Sequence, residues 1–168
     1  MKRLLREIPD FPEPGVLFRD ITPVLADPDG LRAVVEGMVE MSTTPLDVVA
    51  GIEARGFVLG TPIAMTSHRG FVAIRKKGKL PQPTMSVAYD LEYGQAEVEI
   101  GAGAIEPGSQ VVVVDDVLAT GGTAEAACRL VEQAGASVVN VVFLMELAGL
   151  GGREKLGDRQ VNALLTLD

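Results

Sequence analysis

The chain has 168 residues, 47% of them hydrophobic and 23% charged, which suits one domain with a real core. Its formal net charge of −8 argues against a general nucleic-acid binder, which needs a basic face. No apolar run approaches the ~18 residues of a membrane span. The opening MKRLLREIPDF lacks the apolar core of a signal peptide and meets an acid at Glu7.

Residues 2–8 predict a short amphipathic helix. Residues 9–25, PDFPEPGVLFRDITPVL, carry four prolines and one glycine, so the segment is extended or turning rather than helical. It still holds Phe11, Val16, Leu17, Phe18 and Ile21, too many apolar side chains for a solvated linker. An ordered loop that covers a site, a small hood over residues 1–25, is the expectation. Asp27-Pro28-Asp29 opens a helix, with Asp27 as its N-cap and Pro28 in the first turn. Leu31, Val34, Val35, Met38 and Val39 then recur at helical spacing.

LDVVAGI, 46–52, reads as a buried strand; EARGF and a helix over roughly 57–67 follow, and GFVAIRK, 70–76, is another strand. This alternation predicts an α/β fold with a mainly parallel central sheet flanked by helices. RKKGKLPQP, 75–83, is a basic loop. TMSVAYDLEYG and QAEVEI read as an antiparallel hairpin or flap, so 75–99 is expected to combine basic loop and flexible flap. ASVVNVVFLMEL, 136–147, and VNALLTL, 161–167, supply two more strands around a loop with a short helix. No repeat and no linker divides the chain, and a single domain over 1–168 is expected. Cys128, the one cysteine, falls on the apolar side of a helix and reads as core; an internal disulfide is excluded, which is compatible with the cytoplasm. His68 is the only histidine and reads as a surface residue; no Cys/His metal cluster exists.

The stretch VVVVDDVLATGGT, 111–123, carries the most chemistry. Four valines suit a strand buried on both faces. Asp115 and Asp116 are expected at that strand's carboxyl end, where open α/β sheets bind ligands. Thr120, Gly121, Gly122 and Thr123 lead into a helix whose N-terminal N–H groups favour a phosphate. Neither GxxxxGK[ST] nor GxGxxG is present, so the P-loop and the dinucleotide fingerprint are absent. Carboxylates touching a phosphate would repel it; they suit hydroxyls or a divalent cation. A ribose 5-phosphate meets both demands. Arg55 follows another strand, and its planar fork suits phosphate oxygens. Arg75, Lys76, Lys77 and Lys79 crowd four positive charges into five residues of an acidic protein. A ligand with a phosphate at one end and a pyrophosphate at the other would use all of these groups.

These pieces together resemble the type I phosphoribosyltransferases, and more narrowly those that use adenine. FPEPGVLFRDITPVL, EARGF, IRKKGKLPQPT, YDLEYG, the central motif and GGREKL run in the family's order from about Pro9 to Leu156. The resemblance implies the reaction of adenine with 5-phosphoribosyl 1-pyrophosphate (PRPP) to give AMP and pyrophosphate, with Mg2+. It implies that Ala119, Thr120, Gly121, Gly122 and Thr123 hold the 5-phosphate, and that Asp115 and Asp116 meet the ribose hydroxyls. Arg55 would meet the pyrophosphate, with help from Arg75 and Lys79. Leu17, Phe18 and Arg19 match the cover over adenine, and Leu147 would pack on the base's other face. Glu92 and Tyr93 match the loop that closes over the site. A homodimer is implied as well, with no nucleic-acid or membrane partner.

Displacement at the ribose C1 builds positive charge on the sugar and negative charge on the leaving group. Such a reaction needs positioning, electrostatics and exclusion of water rather than a Ser or Cys nucleophile. Glu92 is the candidate to exchange a proton with the purine imidazole ring. No protein ligand to Mg2+ is assigned. Another purine base, or a PRPP-sensing regulator on the same fold, are the alternatives, the latter calling for a basic face that this chain does not show.

Overall fold

The computed structural model describes residues 2–42, 45–81, 83–90 and 94–168. Its contacts divide it into two units, Met1–Gly37 and Met38–Asp168. In the first, a single 3-10 turn, Lys2–Leu4, leads into β1 (Arg6–Pro9), which pairs antiparallel with β2 (Leu17–Asp20). The helix expected over 2–8 is therefore a strand from Arg6 onward. Cross-strand partners supply the reason: Arg6 lies opposite Asp20, Glu7 opposite Arg19 and Ile8 opposite Phe18. Arg6 donates from Nε to Asp20 Oδ2 at 3.0 Å, and Arg19 forms an ion pair with Glu7. Hydrogen bonds from Thr22, with help from Arg6, hold the Asp20 carboxyl down at about 2. Phe11 packs edge-on against Phe18, ring centres 5.2 Å apart.

Residues 9–25 are more regular than their prolines suggest, because β2 is followed by a short helix, α1 (Thr22–Ala26). Pro23 lies in the first turn, where a missing N–H costs the helix nothing. The next helix, α2 (Pro28–Met41), starts as its sequence predicts. Asp27 Oδ1 accepts from Gly30 N at 2.6 Å, and its carbonyl accepts from Leu31 N at 2.8 Å.

The second unit is built on seven strands: β3 (Val48–Ile52), β4 (Gly70–Lys76), β5 (Thr84–Asp90), β6 (Gln95–Gly101), β7 (Gln110–Leu118), β8 (Ser137–Leu147) and β9 (Val161–Leu167). Their order across the sheet is β5-β6-β4-β3-β7-β8-β9. Pairings β4-β3, β3-β7, β7-β8 and β8-β9 are parallel, and β5, β6 and the end of β4 form an antiparallel wing, so the expected hairpin at 84–99 joins the sheet. Helices α3 (Arg55–Thr66), α4 (Gly122–Gln133) and α5 (Gly152–Lys155) fill connections between strands.

Strand alternation distributes the core over both faces of the sheet. Ala50, Ile52, Val111 and Val113 share a cluster with Ala126, Ala127, Leu130 and Val131 of α4. Val49 and Gly51, with opposite parity, approach Gly60 and Gly56 of α3. Cys128 is fully buried, as its helical position predicts, and burial pushes its thiol up to about 12. His68 is exposed. Among the described residues, no helix is long and apolar enough to cross a membrane.

Two crossovers define where a ligand fits. The connection β3-α3-β4 moves one way along the sheet, and β7-α4-β8 moves the other, so the order reverses between β3 and β7. Open sheets bind ligands at such a reversal, beyond the strands' carboxyl ends. The β3-β7 pairing stops at Gly51 and Val114, whereas β7-β8 pairing runs on to Leu118. Asp115 and Asp116 thus lie in the carboxyl-terminal part of β7, as expected, on the stretch that β3 has left uncovered. The helix cap yields a direct check: Asp27→Ala should destabilise the chain by about 1 kcal/mol in urea unfolding, and Asp27→Ser should recover most of the loss.

Candidate active site

A cavity of about 560 Å3 opens at this reversal. Its wall includes Glu53, Ala54, Arg55, Lys76 and Tyr89, together with residues 115–124. The volume falls in the range of small-ligand sites. Sequence reasoning placed Asp115, Asp116, Ala119, Thr120, Gly121, Gly122, Thr123 and Arg55 in one site, and the fold brings all eight to this wall.

The floor is the turn between β7 and α4. Gly121 takes φ +80° and serves as the N-cap position, its carbonyl accepting from Glu125 N at 2.8 Å. The helix therefore begins at Gly122, and its first-turn N–H groups, Thr123 among them, face outward from the helix start. The turn is packed backbone to backbone against the start of α5. A Cβ on Gly121 would lie 2.7 Å from the Gly152 carbonyl, and a Cβ on Gly152 would collide with the Ala119 carbonyl. Gly152 belongs to GGREKL, and its packing on the turn was invisible in sequence; two adjacent glycines before a short helix were the only signal.

Asp116 is 4% exposed and forms an ion pair with Arg55 Nε, while the Arg55 side chain stays about half exposed (47%). Sequence reasoning assigned Arg55 and the carboxylates to separate parts of the ligand; the structure puts Arg55 and Asp116 in direct contact. Gly56 explains how. A Cβ there would come within 2.6 Å of the Val114 carbonyl, so only glycine lets the start of α3 press on β7 and carry Arg55 to Asp116. Asp115 Oδ1 accepts from Asp116 N at 2.9 Å. Its carboxyl titrates well above the usual carboxylate range, first because burial strips it of water and then because Asp116 repels its charge.

A carboxylate holds the end of β4 in turn. Glu53 accepts from Arg75 Nε at 3.0 Å and from Lys76 N at 2.8 Å. The Arg75 bond first, then the Lys76 amide, keep Glu53 below the usual range against the cost of its burial. Arg75 also stacks 5.7 Å above the Phe57 ring. It is therefore engaged beside the cavity, and Lys76, the neighbour in the sequence, lines the wall instead. Glu99, 2% exposed, accepts from Lys79 N and Leu80 N at 2.9 Å each. That clamps the basic turn, but Lys79 is not on the cavity wall.

Leu147, at the end of β8, borders a separate cavity of about 230 Å3 with Glu146, Gly149 and Gly152. Gly152 thus backs both hollows. Leu17, Phe18 and Arg19 form β2 in the first unit, with Leu17 exposed and Arg19 paired with Glu7. Glu92 and Tyr93 lie outside the described residues. Among the described residues, no group of three or more His, Cys, Asp or Glu could hold a metal unaided. Of the three acids on the wall, Glu53 is taken up by Arg75 and the Lys76 amide, and Asp115 and Asp116 fit Mg2+ in its usual mode, in which one or two carboxylates share the ion with substrate phosphates and water.

The phosphoribosyl transferase domain family model matches residues 31–161. An adenine phosphoribosyltransferase from Clavibacter michiganensis is 53% identical over 167 residues, covering 99% of this chain and 95% of the relative. A crystal structure of the adenine phosphoribosyltransferase from Thermoanaerobacter pseudethanolicus superposes with a TM-score of 0.96 at 45% identity, covering 99% of this chain and 97% of the other. The Saccharomyces cerevisiae enzyme, solved with an imino-altritol bisphosphate and adenine, gives 0.89 at 39% identity, with 95% and 93% covered. The chain belongs to the phosphoribosyltransferase family and, within it, to the adenine phosphoribosyltransferases.

Two outcomes follow from the geometry. Gly152→Ala should displace the Ala119 turn and cost roughly 100-fold in kcat/KM, the penalty of a displacement near 1 Å; activity within a factor of two of the parent would show that the turn tolerates the methyl group. Asp115 concerns pH. The folded chain keeps its proton at pH values where the unfolded chain, near 3.8, has released it. The ligand-free protein therefore loses stability as pH rises from the unfolded value towards the folded one. Asp115→Asn removes that contribution. Melting curves between about pH 4 and pH 8 should show the variant gaining on the parent as pH rises, while ribose 5-phosphate binds about tenfold more weakly.

Proposed function

We propose that the chain transfers the 5-phosphoribosyl group of PRPP to adenine, giving AMP and pyrophosphate in purine salvage. The observation that carries this reading is the meeting, in one cavity, of the 119–123 turn, the Asp115–Asp116 pair and Arg55. The 5-phosphate rests on the turn, where the α4 N–H groups and the Thr120 and Thr123 hydroxyls donate to it. Asp115 and Asp116 take the ribose hydroxyls. Arg55 and Lys76 lie on the side where the pyrophosphate would leave; Asp116 holds Arg55, and Glu53 aligns Lys76 by holding the end of β4. Arg75 and Lys79 act at longer range there.

As the bond from C1 to pyrophosphate breaks, the sugar gains positive charge beside two acids, and the leaving group gains negative charge beside cations. Both changes are stabilised by groups already in place. Mg2+ bound with PRPP would neutralise the pyrophosphate further, and Asp115 and Asp116 are the carboxylates that would share it with the substrate. Contacts to adenine are assigned to Leu17, Phe18 and Arg19 and to Leu147. Glu92 exchanges the proton of the purine imidazole ring, and Tyr93 closes with it over the site to exclude water. The protein works as a cytoplasmic homodimer.

A panel of bases tests the assignment. With PRPP and Mg2+, adenine should yield AMP and pyrophosphate, and guanine, hypoxanthine and xanthine should react at least about 100-fold more slowly in kcat/KM. Turnover of guanine without turnover of adenine would overturn the choice of base.

A further inference from the structure

Tyr89 stands near the end of β5, on the wall of the same cavity as the 119–123 turn. Its hydroxyl lies 3.2 Å from Thr123 Oγ1. The ring runs alongside the turn, since a Cβ on Gly122 would meet Tyr89 Cδ2 and the Asp90 carbonyl at 3.7 Å each. A second contact fixes the strand there: Arg129 of α4 donates from Nη2 to the Ala88 carbonyl at 2.9 Å, and Arg129 pairs with Glu125 at 3.0 Å. The antiparallel wing is thus docked on the first turns of α4 at two places, one of them the side chain of Thr123.

Proton counting gives this contact a direction. Each hydroxyl has one proton to donate and lone pairs to accept with. In the ligand-free chain Thr123 donates to Tyr89. A phosphate carries only acceptors where it meets this turn, so Thr123 must swing its single proton to the phosphate. Tyr89 is then the neighbour that can donate to Thr123. The chain Tyr89 O–H to Thr123 O–H to phosphate is one in which each bond polarises the next.

We propose that Tyr89 is a positioning residue for the 5-phosphate, donating to Thr123 and thereby orienting that hydroxyl at the anion; this rests on reading the 119–123 turn as the phosphate site. Tyr89 touches no reacting atom. Its contribution is made equally before and during displacement at C1, so it belongs to binding rather than to the chemical step.

The test is a double-mutant cycle of Tyr89→Phe and Thr123→Val, each alone and combined, with circular dichroism and melting curves to establish folding. Ribose 5-phosphate is the probe, titrated calorimetrically, alongside KM for PRPP, KM for adenine and kcat. Tyr89→Phe keeps the ring and removes one hydrogen bond. It should raise the ribose 5-phosphate Kd and the PRPP KM by about two- to tenfold, with kcat and the adenine KM within about a factor of two. In the Thr123→Val background the same change should have no further effect, because the acceptor is gone. An unchanged ribose 5-phosphate Kd in a folded Tyr89→Phe protein overturns the proposal. So does an equal loss in both backgrounds, or a fall in kcat without a change in Kd. If the parent binds ribose 5-phosphate but does not convert adenine, the assigned reaction fails while the Kd cycle still decides the role of Tyr89. If the parent does not bind ribose 5-phosphate, both fall.

Discussion

The ion pair between Arg55 and Asp116 spans the place where the sheet reverses, and the arrangement of the site depends on it. Asp116 is nearly buried and stands next to a second carboxylate on the same strand. Two adjacent acids in so dry a place repel each other and resist losing water. One outcome is the raised titration of Asp115; the other is a cation brought across from the start of α3. Removing one partner of a fully buried pair costs roughly 3–5 kcal/mol, and the half-exposed Arg55 reduces the figure here. The pair is also where the two halves of the site touch. β7 supplies the acids and the turn, and β3 with α3 supplies the cation.

Glycines make that meeting possible by omitting a side chain where two backbones touch. Gly56 lets α3 lie on β7 at Val114. Gly152 and Gly121 let the start of α5 lie on the turn after β7. At these contacts the neighbouring atoms are main-chain carbonyl oxygens, which cannot retreat without shifting closely packed backbone. The turn is thus held from below by main chain, leaving its hydroxyls and N–H groups directed to the cavity. A preformed arrangement of this kind suits a reaction whose catalysis consists of placing charges around a breaking bond.

Much of the fold was legible because it follows from periodicity and punctuation. Strands at 48–52, 70–76 and 161–167 come from short apolar runs, and α2 begins where Asp27-Pro28 says it should. The failures have one physical source, in that pairing partners distant in sequence outweigh local preference. Residues 6–9 form a strand because 17–20 lie opposite. In the site, the turn, the acids and Arg55 were legible because each needs an unusual residue at a strand end. The exchange of Arg75 for Lys76 on the wall was not, since it depends on which of two neighbouring side chains Glu53 captures. Tyr89 was equally hidden, because its approach to Thr123 requires the wing to fold back on α4.

The order of residues alone determined which groups the chain offers: a phosphate turn, two acids, an arginine after a glutamate and a basic loop, spaced on alternating strands and helices. Those are properties of single residues and their immediate neighbours, so they survive in one dimension. Only the tertiary structure decided how the groups are used. Burial raised Asp115, the glycine contacts joined Arg55 to Asp116, and parting of β3 from β7 opened the cavity beside both. Each of these depends on distances of a few ångströms between segments dozens of residues apart. Local spacing carries no information about such distances, because they are set by the packing of the whole sheet.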